Sequence, residues 1–237
     1  LVQQGDWKVA IFCYTIATIG YAGGNIFYDS LLTTVAPKNR MDFISSLGFS
    51  IGYLGGGILF AINVWMTLSP ATFGLADVTE AVQYSFLSVA IWWGLFSIPI
   101  FLFVEEPPQT SKVSNLVIIR DGLKQLRKTF KEIRTLKPIF MFLIAYWLYI
   151  DGVDTIIVMS INYGMSIGFQ STDLILALLL VQFIGFPAAI GFGYLAGKIG
   201  TKRSIYIAIS IYFMMSVLGA FIQSTVEFYI LAIFIGL

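Results

Sequence analysis

Residues 138–163 form an apolar run, PIFMFLIAYWLYIDGVDTIIVMSINY, that is long enough to cross a bilayer and yet contains two carboxylates. Asp151 and Asp154 lie well inside this run. A charge near the centre of a spanning helix costs roughly 2.5–3.5 kcal/mol on insertion scales. Because positions i and i+3 share one face of a helix, we expect that face to contact water or protein rather than lipid. The run therefore predicts a membrane protein with a hydrated interior.

The composition extends this prediction to the whole chain. Of its 237 residues, 58% are hydrophobic and 11% are charged, whereas a soluble domain is about 45–50% apolar and about 25% charged. An all-α, polytopic membrane protein is the fold class that these values predict. We expect seven membrane segments, the last of them too short to cross unaided: residues 7–35, 43–67, 82–104, 138–163, 174–196, 204–222 and 226–237.

The chain has no histidine and a single cysteine, Cys13. An internal disulfide, a histidine-based metal site and a histidine-centred catalytic triad are therefore excluded. Cys13 lies in the first apolar run and is interpreted as a small packing residue. We expect no catalytic residues, no metal site, no cofactor and no enzymatic activity, since no nucleophile–base pair is evident.

The cations are strongly segregated between the two sides of the predicted membrane. Thirteen of the fourteen Lys and Arg residues lie in or beside the loops that follow the first, third and fifth spans, and only Lys8 lies on the other side. The positive-inside rule places those three loops in the cytoplasm. We therefore expect a multi-pass integral membrane protein with the start of the chain facing outward.

Residues 112–137 have a different pattern from the spans. Apolar residues recur at spacings of three and four, which is typical of one helical stripe, and the other face is basic. The cations of this segment are Arg120, Lys124, Arg127, Lys128, Lys131 and Arg134. Such a helix lies along an anionic membrane surface or packs under the spans. A calmodulin-type target helix would have the same pattern, but we favour a linker at the cytoplasmic surface.

The second span contains glycines at Gly48, Gly52 and Gly56, a four-residue repeat that predicts close packing of two helix backbones. Its sequence GFSIGYLGGG also resembles the glycine motif of antiporters in the major facilitator superfamily, with Tyr53 in place of proline. Close helix packing is the interpretation we favour over antiport.

A short basic loop, GYLAGKIGTKR, follows the fifth span. It resembles the loop signature of the major facilitator superfamily, with glycine at the usual aspartate position. The residues that carry this resemblance are Gly193, Gly197, Lys198, Gly200, Lys202 and Arg203.

Three stretches together, FYDSLLTTVA, SLGFSIGYLGGG and YIDGVDT, resemble the branch of this superfamily that includes the vacuolar amino-acid effluxers of autophagy and their bacterial members. The resemblance implies a two-lobed, twelve-helix transporter of which this chain corresponds to helices four to ten. Residues 1–111 would then be the second half of the amino-terminal lobe, residues 112–137 the linker, and residues 138–237 the first part of the carboxy-terminal lobe.

The resemblance further implies that the first and fourth spans line a central cavity. The candidate substrate- or ion-binding residues are Asn25, Tyr28, Asp29, Tyr149, Asp151 and Asp154. Asp151 lies roughly 20 Å along the helix from residue 138, near the bilayer midplane. Two nearby carboxylates in a low dielectric resist double ionisation, so a proton or cation site is expected. A structural pair that hydrogen-bonds neighbouring helices is the alternative, and Asp29 has the alternative of a helix-end or gate residue.

These observations predict a proton-coupled secondary transporter that moves a small polar solute, an amino acid by the resemblance, through alternating access. Its partners would be the lipid bilayer, the solute and protons, with no nucleic acid. A transporter-like receptor, scaffold or lipid-handling protein is the alternative function.

Overall fold

A computed structural model describes residues 5–104 and 115–237. These residues form eight α-helices and two short 3-10 turns, and no strand occurs within those two ranges. The helices are α1 (Trp7–Val35), α2 (Met41–Leu68), α3 (Val78–Phe103), α4 (Asn115–Ile133), α5 (Lys137–Ser166), α6 (Ser171–Ile199), α7 (Thr201–Gly219) and α8 (Thr225–Gly236). The expected all-α fold class is thereby confirmed.

Five of the helices are long and apolar enough to cross a membrane, namely α1, α2, α3, α5 and α6. The sixth and seventh predicted segments are present as α7 and α8, which are shorter at 19 and 12 residues. The first turn of α7 contains Lys202 and Arg203, and these charges reduce the purely apolar length of that helix.

The described residues divide into two units. One contains α1, α2, α3, α6, α7 and α8, and the other contains α4 and α5. The predicted lobe boundary at residues 111–112, and Lys112 itself, lie outside the described residues, so the division into lobes and linker stays a prediction.

Polar residues define several of the helix ends. The Asp77 side chain accepts a hydrogen bond of 2.8 Å from the Glu80 N–H and caps the start of α3. Ser224 and Glu227 form a reciprocal capping box at the start of α8. A single residue, Gly200, separates α6 from α7, and its φ of +89° is a backbone conformation that favours glycine.

In the first unit, α2 and α6 pack against each other, and α6 also contacts α7 and α8. The buried residues of these interfaces are mostly small or aliphatic, including Ala177, Leu174 and Ala232. Many hydroxyls inside the spans donate to a carbonyl of their own helix, as Thr15 does to Ile11 at 2.8 Å. Such bonds satisfy polar groups where no water is available.

Candidate functional site

The antiparallel contact between α2 and α6, called here the α2–α6 seam, is formed by α2 residues at positions 46, 50, 53 and 57. Spacings of four, three and four residues place all of them on one helical stripe, as in knobs-into-holes packing. The paired positions on α6 decrease from 193 to 182 as those on α2 increase, so the two helices run in opposite directions.

Glycines on α6 accept the larger side chains of α2. A Cβ atom added at Gly185 would lie only 2.8–3.0 Å from three ring atoms of Tyr53, and one at Gly193 would overlap the Ser46 side chain. On α2, a Cβ added at Gly57 would lie 3.4 Å from the Gln182 Cβ of α6. The absence of side chains at these positions allows the close approach of the two helices.

Ser50 is fully buried in the seam, with no exposed side-chain area. Its hydroxyl donates a hydrogen bond of 2.7 Å to the carbonyl oxygen of Phe186, the residue before Pro187. This bond joins positions that are 136 residues apart in the sequence. It therefore fixes the register of the two helices.

The three glycines predicted to pack do not share one neighbour. A Cβ at Gly48 would lie 3.4 Å from the Tyr28 hydroxyl of α1, and one at Gly56 would lie 3.5 Å from Nε2 of Gln182 on α6. Among the described residues, no atom beyond the helix around Gly52 lies within 4 Å of such a Cβ. A repeat of four residues drifts around the helix, since each step of four exceeds one turn of 3.6 residues.

The candidate residues of α1 lie near its end. Asn25, Tyr28 and Asp29 are all exposed, and only Tyr28 has a contact described above, with Gly48. Nearer the start of the same helix, the centroid of the Tyr21 ring lies 6.0 Å from that of the Trp93 ring of α3. Aromatic contacts thus hold α1 against two neighbours, and its polar residues remain accessible.

In the second unit, Asp151 and Asp154 are exposed on α5, while Tyr149 is half-buried. Position 151 is about 21 Å from the start of α5 by helical rise, and the two Cβ atoms are about 5–6 Å apart by helix geometry. In the described part of the chain, neither carboxylate takes part in a hydrogen bond or an ion pair.

The loop motif occupies the end of α6 and the start of α7. Lys198 lies over the Tyr194 ring, with Nζ 4.5 Å from the ring centroid, and Lys202 lies 5.9 Å from that of Tyr206. Arg203 is exposed. These cations surround Gly200 at one end of the helices, where they would meet lipid headgroups.

A cavity of about 340 Å³ lies beside this motif in the first unit. Its walls come from the start of α2 and the end of α6, and its lining residues are Asn39, Arg40, Met41, Asp42, Phe43, Gly193 and Gly197. Asp42 lines this cavity, and so does Gly197, the position at which the superfamily signature has aspartate.

The sequence did not indicate Ser46, Ser50 or Gln182 as residues of a site. Ser46 and Ser50 follow a seven-residue helical spacing with Tyr53 and Gly57, which is a signal that could have found them. Gln182 was visible as a polar residue in an apolar span. Its position against Gly56 and Gly57 became apparent only from the three-dimensional contact.

Comparison with known proteins gives a consistent result. Residues 33–237 match the family model described as "Vacuole effluxer Atg22 like". The chain is 38% identical over 236 residues to the uncharacterized MFS-type transporter YxiO of Bacillus subtilis (strain 168), covering 99% of this chain and 55% of that protein.

Fungal proteins are more distant relatives. Autophagy-related protein 22 of Yarrowia lipolytica (strain CLIB 122 / E 150) is 26% identical over 132 residues, covering 48% of this chain and 22% of that protein. Autophagy-related protein 22-1 of Penicillium rubens is 28% identical over 172 residues, covering 68% of this chain and 28% of that protein. The chain thus spans about half of the bacterial relative and about a quarter of the fungal ones. No solved structure matches it.

Proposed function

Because the chain belongs to the family of Atg22-like vacuole effluxers, we propose that it works in a secondary active transporter that moves a small polar solute by alternating access. The chain is an all-α, multi-pass membrane protein of the MFS type.

The observation that carries the proposal is the carboxylate pair Asp151 and Asp154 inside the spanning helix α5. Placing an ionisable residue within a membrane span costs free energy, so such residues usually face a water-filled pathway or a partner group. We propose that the pair binds a proton on one side of the membrane and releases it on the other. Solute exchange coupled to that proton can then run uphill.

Amino acids are the proposed solute class, and efflux is the proposed direction. The family description supports efflux through the word "effluxer", and the sequence resemblance to vacuolar amino-acid effluxers supports the solute. Tyr149 on α5 and Asn25, Tyr28 and Asp29 on α1 are the proposed further contacts. Each of them offers a polar group that is not fully buried.

The proposed setting is a bacterial inner membrane, with the loops after the first, third and fifth spans in the cytoplasm. The distribution of Lys and Arg supports this orientation. In the proposed lobe division, α2 belongs to the amino-terminal lobe and α6 to the carboxy-terminal lobe. The α2–α6 seam would then be a contact between lobes, which rocking of the lobes would have to open or shift.

The test is uptake or release of amino acids by vesicles that carry the protein, with and without an imposed proton gradient. We expect Asp151→Asn to abolish the stimulation by the gradient while the amount of membrane-inserted protein stays normal. Asp121→Asn is the matched control, because Asp121 is an exposed carboxylate of α4, outside the spans. The control should retain the full stimulation.

Unchanged coupling in Asp151→Asn would refute the role of the pair while leaving transport itself intact. If the unaltered protein moved no solute from an amino-acid mixture under either gradient direction, the amino-acid assignment would fail. The alternative of a receptor, scaffold or lipid-handling protein would then be favoured.

A further inference from the structure

Helix α4 presents an apolar stripe that no described residue of its own unit covers. Ile119, Leu123, Leu126 and Phe130 are 61–66% exposed. By the 3.6-residue repeat, their directions fall within about 60° of one another around the helix axis. A stripe of four large apolar side chains is costly to leave in water, so it requires a covering surface.

Cations flank this stripe along one side of α4. Around the helix axis, they project about 70–130° away from the centre of the stripe, so they can extend past the apolar face toward an adjoining polar layer. The flanking cations are Arg120, Lys124, Arg127 and Lys131. All of them are exposed, and the two acidic residues that pair with cations of α4, Asp121 and Glu132, lie farther round the helix.

The position of α4 is constrained by its short connection to a spanning helix. Only residues 134–136 separate the end of α4 at Ile133 from the start of α5 at Lys137. Backbone hydrogen bonds continue through this connection, from Arg134 N–H to Phe130 and from Leu136 N–H to Ile133. Because α5 is long enough to cross the bilayer, the end of α4 has to lie at a membrane–water boundary.

We propose that α4 is an interfacial helix that binds the anionic phospholipid surface of the leaflet in which α5 begins. The stripe enters the boundary between headgroups and acyl chains, and the flanking cations contact lipid phosphates. This occupant is favoured over a separate protein because the connection to α5 already places α4 beside the bilayer, and the cations complement its charge. The proposal does not depend on transport or on the identity of any solute.

The test measures the surroundings of single fluorophores on α4 in the complete chain. With Cys13 replaced by serine, a label is attached at Leu123→Cys on the stripe or at Lys128→Cys, which is about 180° around the helix from Ile119. The protein is placed in phosphatidylcholine bilayers with and without phosphatidylglycerol. Brominated acyl chains quench labels from the lipid side, and iodide quenches them from water.

We expect brominated lipid to quench the Leu123→Cys label at least threefold more than the Lys128→Cys label in phosphatidylglycerol bilayers. Iodide should show the reverse order. In a variant with glutamine at all three of Lys124, Arg127 and Lys131, quenching by brominated lipid should be nearly the same with and without phosphatidylglycerol. The amount of this variant in the membrane shows whether it folds.

Three results would contradict the proposal. A Leu123→Cys label that both quenchers fail to reach would place the stripe against protein, as expected if α4 packs under the spans or binds a partner. Equal quenching of the Leu123→Cys and Lys128→Cys labels by iodide would place the stripe in water. Equal lipid quenching with and without phosphatidylglycerol would refute the anionic character of the surface.

Discussion

Replacing Gly185 with alanine tests how tightly Tyr53 packs against α6. The added Cβ would lie 2.8 Å from Cδ1 and 2.9 Å from Cε1 of the Tyr53 ring. These atoms belong to a rigid ring in the middle of the seam, not to the end of a flexible chain. Either the ring or the helix axis must move.

The magnitude follows from comparison with Gly191→Ala, a control on the same helix. A Cβ at Gly191 meets no atom within 4 Å outside its own stretch of helix. Both changes gain the same helix propensity, about 1 kcal/mol in soluble helices. Overpacking costs about 1–3 kcal/mol. Gly185→Ala should therefore be about 1–3 kcal/mol less stable than Gly191→Ala.

The assay is unfolding of the detergent-solubilised protein by a denaturing detergent, followed by circular dichroism. Tyr53→Leu should restore part of the loss when it is combined with Gly185→Ala, because leucine places no ring at that position. The double-mutant cycle should give a favourable coupling of more than about 0.5 kcal/mol, as for residues in contact. Equal stability of Gly185→Ala and Gly191→Ala would refute the reasoning.

Two further changes test the first unit. Gly200→Ala places a Cβ on a backbone with φ of +89° and should destabilise by about 1–3 kcal/mol in the same unfolding assay. Gly197→Ala changes a glycine of the same loop motif that has no positive φ, so it should not destabilise the protein. Equal destabilisation by the two changes would contradict the argument from backbone strain. Ser50→Ala removes the hydrogen bond to Phe186 and should cost about 0.6 kcal/mol, at most about 1.7. Ser97→Ala, whose hydroxyl bonds only within its own exposed helix, is the control and should stay near wild type.

Apolar length and local signals predicted most of the helices. The first predicted span, residues 7–35, agrees with the bounds of α1. The third span was predicted from residue 82, whereas α3 begins at Val78 because Asp77 caps it and adds a polar first turn. A hydropathy pattern marks the apolar part of a helix, and the capping residue marks its true start.

The partners of each helix could not be predicted in the same way. The hydrogen bond between Ser50 and Phe186 and the contact of Tyr53 with Gly185 join residues more than 130 positions apart. No local propensity encodes such a pairing. The glycine repeat suggested close packing on α2, but the glycines that face Tyr53 and Ser46, namely Gly185 and Gly193, are on α6. In the candidate site, the sequence placed the carboxylates on a spanning helix, and their roles stay predictions.

The one-residue connection between α6 and α7 has a mechanical consequence. A single residue extends the chain by at most about 3.6 Å, and Gly200 is also held by its N–H bond to Ala196 at 2.9 Å. Neither helix can therefore shift far along the membrane normal while the other stays in place. A displacement of α6 would therefore displace α7 as well, and Lys198, Lys202 and Arg203 lie at the junction of the two helices.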